Sequence, residues 1–368
     1  MIYLDNAATC CPKQQVLDYT IDVMKMVYAN PNSVNYEIGL DARRIIEESR
    51  RIVADKINAD PEEIFFTSSA SASNSLAICG YLNNKNNNCR NFITSNLEHS
   101  SVRDIEVNGV YKTIEPCNTS GFLNVEQFSK YKNCLISITA CNNEIGTIQP
   151  IIEISKVVHS NNNIIHSDLT QYIPYMKINV KELGVDMATF SAHKIHGLKG
   201  CGVLYKKKSI ELSPIVFGSQ EQGLFGGTEN VYSIAACGKA IELLNYDNIN
   251  EIRKMRNHLI EELLKVEGVI LNGDIKSRSP GNINLCLNNI YIDNVQLSAI
   301  LDCYGYCVGI GSSCHAGDNK PSQILLAIGR TEEEARRSIR ITINEDNTME
   351  EIDKLINDLK NIIEQFKK

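Results

Sequence analysis

Short β-branched runs alternate with longer amphipathic stretches along most of the chain. Ile64-Phe65-Phe66, Phe92-Ile93-Thr94, Leu135-Ile136-Ser137-Ile138, Ile164-Ile165, Met187-Ala188-Thr189-Phe190 and Gly202-Val203-Leu204-Tyr205 each read as a short buried strand. Strands separated by helical stretches imply an α/β domain with a largely parallel sheet. The Asn-rich stretch from Asn83 to Asn88 reads as a surface loop. After about Asn250 the texture changes. A helix is predicted from Glu251 to Val266, stopping at Gly268, then shorter strands and a last helix. Thr348 and Glu351 form a capping box before that helix, and Ile352, Leu355, Ile356, Leu359, Ile362 and Ile363 follow at helical spacing. This stripe predicts core packing in a second, smaller domain and no chemistry.

Composition narrows the class of protein. With 368 residues and 43% hydrophobic content, the chain suits one large domain plus a smaller one. The formal charge of -7 is spread over interspersed acidic and basic residues, with no basic stripe for nucleic-acid phosphates, so no direct nucleic-acid partner is expected. No apolar run approaches bilayer length and no leader-like segment follows Met1, so a soluble cytoplasmic protein away from membranes is expected. The 13 cysteines form neither a paired framework nor a zinc-ligand spacing. They read mostly as small buried hydrophobes of a reducing compartment, and no metal site is expected.

Three segments carry chemistry. Ile64 to Leu76 runs from a strand through small hydroxyl residues into a helix, where backbone N–H groups and the helix N-terminus favour an anion such as phosphate. A Ser-rich turn is equally at home as a plain helix cap. Asp168, in Ile164-Ile165-His166-Ser167-Asp168-Leu169-Thr170-Gln171, stands at the end of a presumed buried strand, where open α/β sheets gather ligands. A carboxylate there holds a protonated pyridine nitrogen, or serves as the cap of the next helix. Lys194 follows the strand Met187 to Phe190, through Ser191-Ala192-His193, and is bounded by Gly197 and Gly200. A strand end beside an anion site suits a Schiff-base lysine, whose pKa must be lowered by burial or nearby cations.

These motifs, in this order, resemble the cysteine desulfurases related to NifS and IscS, within the class V aminotransferases of fold type I. The resemblance runs over essentially the whole chain, from Tyr3-Leu4-Asp5-Asn6-Ala7-Ala8-Thr9 through Asn142-Asn143-Glu144-Ile145-Gly146, Ser191-Ala192-His193-Lys194 and Gly227-Thr228-Glu229-Asn230 to Ser338-Ile339-Arg340. It implies a pyridoxal 5'-phosphate (PLP) enzyme with a mostly parallel seven-stranded sheet in a large domain, residues 13–250. A smaller α+β domain would comprise 1–12 and 251–368 and carry a mobile cysteine loop at about 309–321. The resemblance further implies that Lys194 bonds the cofactor, Asp168 pairs with its pyridine nitrogen and His99 stacks on its ring. Asn143 and Gln171 match side chains near the ring's phenolic oxygen, and Ala70, Ser71, Ser191 and His193 match the phosphate cradle. Thr228 is similar to a threonine that reaches the phosphate from the other subunit of a homodimer. Arg340 matches the arginine that grips the substrate carboxylate, with Asn143 beside it.

The reaction itself is read from Val308 to Pro321, a Gly- and Ser-rich segment without hydrophobic periodicity and with one thiol, Cys314. A mobile thiol approaches a bound substrate and leaves with its sulfur, and the neighbouring His315 would favour its thiolate. Its length resembles that of desulfurases that pass persulfide sulfur to partner proteins. L-Cysteine would give L-alanine and a Cys314 persulfide, whose sulfur goes to an acceptor for iron–sulfur cluster assembly or thiolation. Ala72, Asn74, Ser75, Phe225 and Tyr36 depart from the family pattern. The alternatives are another class V reaction such as selenocysteine lysis, a paralogue dedicated to one thiolation pathway, and a non-catalytic dimeric scaffold for sulfur carriers.

Overall fold

The computed structural model describes residues 1–311 and 320–368. Its centre is a seven-stranded sheet in the order Ile64–Thr67, Gly202–Lys206, Met187–Ser191, Ile164–Asp168, Cys134–Thr139, Asn91–Ser95, Tyr111–Glu115. Gly202–Lys206 is antiparallel to both of its neighbours, and every other pairing is parallel. All six runs read from the sequence lie in these strands. The seventh, Tyr111–Glu115, is the edge opposite Ile64–Thr67 and, unlike it, is half in solvent, and so lacks the apolar run that marks the others.

Consecutive residues of the buried strands enter different cores. Ile64, Phe66, Ile136, Ile138 and Val203 pack into one, with Val53, Ile57 and Ala235 from the helices Glu37–Ile57 and Val231–Leu243. Phe65, Leu135 and Leu204 pack into another with Leu76 and Ala77 of the helix Ala70–Leu82. A sheet covered on both faces has no solvent face to alternate with, which is why these strands read as unbroken apolar runs.

A further core forms around a three-stranded antiparallel sheet whose central strand is Asn282–Leu287, flanked by Val269–Leu271 and Ser338–Thr342. The helices Ile249–Leu263 and Met349–Gln365 pack into it. The first of these ends before the predicted Val266, and Gly268 takes a left-handed φ of 79° in the turn that follows. At the second, the capping box forms as read: Thr348 Oγ1 accepts from Glu351 N at 3.3 Å and Glu351 Oε2 from Thr348 N at 3.1 Å. The chain's first residues join this core, Leu4 being buried in it and Ile2–Tyr3 pairing in parallel with Tyr306–Cys307. The twelve described cysteines are free, and seven of them are buried. Among the described residues no helix is long and apolar enough to cross a membrane.

Gly202 sets where the helix Ala70–Leu82 begins. A Cβ at position 202 would stand 2.2 Å from the Ser69 carbonyl carbon and 2.7 Å from Ala70 N, so only glycine lets that helix start against the strand. Gly202→Ala is expected to lower stability by about 1–3 kcal/mol through overpacking against backbone, read from urea unfolding. Unfolding identical to the parent's would show that the helix start is free to move.

Candidate active site

The carboxyl ends of the parallel strands converge on a cavity of about 400 Å³. Ten of the residues singled out from the sequence line it: Ala70, Ser71, His99, Asn143, Asp168, Gln171, Ser191, His193, Lys194 and Arg340. Thr228 is exposed and outside it. Cys314 lies outside the described residues, as does all of the 309–321 segment except Gly309, Ile310, Gly311, Lys320 and Pro321.

Lys194 ends a short turn, Ala192–Lys194, that directly follows the strand Met187–Ser191. Its Nζ donates to the carbonyls of Ala7, at 2.6 Å, and Ala8, at 2.5 Å. Burial, helped by the positive charge of Arg340, brings its pKa down to about 8. Burial and the neighbouring Lys194 likewise bring His193 down to about 4, so its ring is neutral, with Nδ1 3.1 Å from Thr9 Oγ1.

Asp168 closes the strand Ile164–Asp168. Its Oδ1 accepts from Thr170 N and its Oδ2 from Asn74 Nδ2, both at 2.9 Å. His99 is the N-cap of the short helix Ser100–Arg103, its Nδ1 accepting from Ser101 N at 3.1 Å. Gln171 donates to Ala7 O at 2.8 Å, and Ser191 to Cys201 O at 3.3 Å. At the start of the helix Ala70–Leu82, Ser69 Oγ takes the Ala72 N–H at 3.1 Å. The Ala70 and Ser71 N–H groups at this open end have no acceptor among the described residues. Such a helix start suits an anion.

Arg340 lies on the strand Ser338–Thr342 and is 1% exposed. Nη2 pairs with Asp5 Oδ1 at 2.7 Å and Nη1 donates to Asn143 O at 3.2 Å, while Nε is buried without a partner. Asp5, Asn74 and Ser101 were not picked out as site residues. Asn74 was visible only as a departure from the family pattern, and Asp5 only inside the Tyr3 to Thr9 motif.

An adjoining cavity of about 260 Å³ shares His99 and Asn143 and is also lined by Glu98, Glu144, Arg103 and Arg336. Glu98 is buried, with Oε1 accepting from Ser95 Oγ at 2.5 Å and Thr139 N at 3.0 Å, and Oε2 without a partner. Burial raises its pKa to about 8, with Asp168 adding repulsion.

A buried lysine of lowered pKa, a strand-end aspartate, a helix start with open N–H groups and a buried arginine together suit a ligand with an aldehyde, a basic ring nitrogen and a phosphate. This is the donor set PLP requires, and the residues present fit it. The model of the aminotransferase class-V family matches residues 2–355, and the chain belongs to that family. Within the family it is 36% identical over 378 residues to the cysteine desulfurase IscS of Dictyoglomus turgidum, covering 100% of this chain and 95% of that protein. A solved NifS-like protein superposes with a TM-score of 0.90 at 30% identity, covering 99% of each chain. A structure of SspA in complex with cysteine gives a TM-score of 0.82, also at 30% identity, covering 93% of this chain and 99% of that one.

Glu98 yields a test of the site's electrostatics. Its folded pKa lies above the ordinary carboxyl value, so the folded state holds a proton that the unfolded chain releases. The stability that this proton gives is fully present below about pH 4.5 and is lost as pH rises through about 8. Glu98→Gln has no such proton to lose. Relative to the parent it should gain stability steadily between pH 5 and pH 8.5 in urea unfolding, and parallel profiles would show that Glu98 is ionised throughout.

Proposed function

We propose that this chain is a cysteine desulfurase that holds PLP through Lys194 and takes sulfur from L-cysteine onto Cys314. The observation that carries the reading is the cavity in which Lys194, Asp168 and Arg340 meet, in a chain alike along its whole length to a cysteine desulfurase.

Each residue has a part that its surroundings support. Lys194, with a pKa near 8, is partly neutral at physiological pH, so its amine serves as a nucleophile and then as a carrier of the substrate Cα proton. Asp168, held by Asn74 and Thr170, offers a carboxylate to a protonated ring nitrogen. Ala70, Ser71, Ser191 and His193 would hold the phosphate, and His99, Asn143 and Gln171 would bound the ring. PLP, when bound, supplies an electron sink for the charge that develops at the substrate Cα. Arg340 binds the substrate carboxylate, exchanging part of its pairing with Asp5 for the new one. Cys314, as thiolate, attacks the substrate sulfur. The carbon–sulfur bond breaks, a sulfur–sulfur bond forms, and Cβ takes up a proton, leaving alanine and a Cys314 persulfide for an acceptor thiol.

The same reading makes the protein a homodimer in which Thr228 serves the neighbouring subunit's phosphate site. Exposed apolar side chains support this, Met24, Met26, Tyr28, Val34 and Tyr36 in one segment and Val216 with Phe217 in another. Arg43 donates to Pro31 O, at 3.3 Å, within the first segment, and to Glu229 Oε1, at 3.5 Å, beside Thr228. Large apolar side chains left in water in this number suit an interface.

Two experiments test the proposal. The purified protein is expected to be yellow and to release alanine and sulfide from L-cysteine with a thiol reductant. Lys194→Ala should lose the chromophore and at least about 100-fold in rate. Arg340→Ala should raise KM for cysteine by about 10–100-fold, the scale of a lost charged hydrogen bond. Full activity in Cys314→Ala would overturn the persulfide route, and a colourless protein that takes up no PLP would overturn the cofactor assignment. In sedimentation, the parent should run as a dimer and Phe217→Asp as a monomer with weaker PLP binding. A monomeric parent would refute the shared site.

A further inference from the structure

Asn74 and the cavity-lining Ser101 link the site's carboxylate to its histidine. Asn74, on the helix Ala70–Leu82, is fully buried, and its Nδ2 lies 2.9 Å from Asp168 Oδ2 and 3.0 Å from Ser101 Oγ. Only the NH₂ end of an amide faces a carboxylate, so the orientation of this side chain is set. Both amide hydrogens are thereby used, and Oδ1 is buried without a partner. Ser101 Oγ accepts from Asn74 and keeps its own hydrogen for His99 Nδ1, 2.8 Å away. The Ser101 backbone N–H, 3.1 Å from the same Nδ1, donates and never accepts. Nδ1 is therefore unprotonated, its one lone pair shared between the hydroxyl and the backbone N–H, and the proton of the neutral ring sits on Nε2.

We propose that Asn74 and Ser101 are positioning residues that tie His99 to Asp168 and hold the imidazole as its Nε2–H tautomer. His99 then presents a flat, neutral ring with a donor at Nε2, and Nδ1 is closed to proton exchange with a substrate. For PLP chemistry the effect is to separate labour: His99 covers and orients, and Lys194 moves protons. That consequence rests on the function proposed above, whereas the hydrogen-bond chain belongs to the protein without any ligand.

The charges facing His99 agree with a neutral ring. Burial is the largest influence and lowers its pKa; Lys194 and Arg103 act in the same direction, and Asp168 and Asp104 oppose them. Every proton added to the ring has to displace a donor from Nδ1, and removing a donor therefore eases protonation.

The test uses apoprotein with ¹⁵N-labelled histidines and two-bond proton–nitrogen correlation spectra, the His99 signals being those lost in His99→Gln. At neutral pH the parent should show His99 as the Nε2–H tautomer. Ser101→Ala should keep that tautomer through the backbone N–H, with the His99 titration midpoint raised by about 0.5–1 pH unit. Asn74→Ala should move the midpoint in the same direction, and Ser101→Thr, which retains the hydroxyl, should restore the parent value. The other histidines report in the same spectra whether each variant is folded. An Nδ1–H tautomer in the parent, or folded Ser101→Ala and Asn74→Ala proteins that titrate like the parent, would overturn the proposal. Neither PLP nor cysteine is present, so a failure of desulfurase activity and a failure of this inference are read separately.

Discussion

Burying the Lys194 amine and the Arg340 guanidinium in one cavity is the constraint to which the rest of the site answers. Two cations removed from water repel each other and lose hydration, and each needs oxygen acceptors close by. The first eight residues supply most of them: Ala7 and Ala8 carbonyls for Lys194, and the Asp5 carboxylate for Arg340. The compensation is incomplete, which is what lowers the pKa of Lys194 and leaves Arg340 Nε without a partner. A site left slightly short of acceptors is one that an anionic, carbonyl-bearing ligand completes.

That supply depends on the N-terminal segment being held at both ends. Thr342 N donates to Leu4 O at 2.7 Å and Asn6 Nδ2 to Thr342 O at 2.8 Å, fastening the segment to the strand that carries Arg340. Cys10 N donates to His193 O at 2.9 Å, fastening it beside Lys194. The segment thus bridges the core of the small sheet and the core of the large one at the cavity itself. Sheet register does the same for the acidic side: Thr139, Asp168 and Thr189 stand in one row, and Thr139 N reaches Glu98. With Glu98 raised to about 8, no second carboxylate charge stands beside Asp168 at neutral pH.

Much of this was legible along the chain, for identifiable reasons. A sheet buried on both faces produces unbroken apolar runs, so six strands and the positions of Asp168 and Lys194 at strand ends could be read directly. The strand Tyr111–Glu115 was not legible, because its residues are mostly in contact with solvent, whereas the opposite edge, Ile64–Thr67, is buried along its length. Arg340 was reached only through the family motif, as its neighbours on the strand look like any other buried strand. Asn74 was visible as an irregularity and nothing more; its meaning lies in Asp168, 94 residues away.

The sequence by itself determined the layered α/β architecture, the capped last helix and the chemical identity of the groups at the strand ends, because those follow from local periodicity and residue type. Only the tertiary structure decided which of those groups meet. Asp5 faces Arg340 across 335 residues of chain, and Ser101 turns its N–H and hydroxyl toward one nitrogen of His99. Hydrogen-bond partners and burial are properties of a closed three-dimensional surface, and they set the charge of Lys194, the protonation of Glu98 and the tautomer of His99, which no periodicity along the chain encodes.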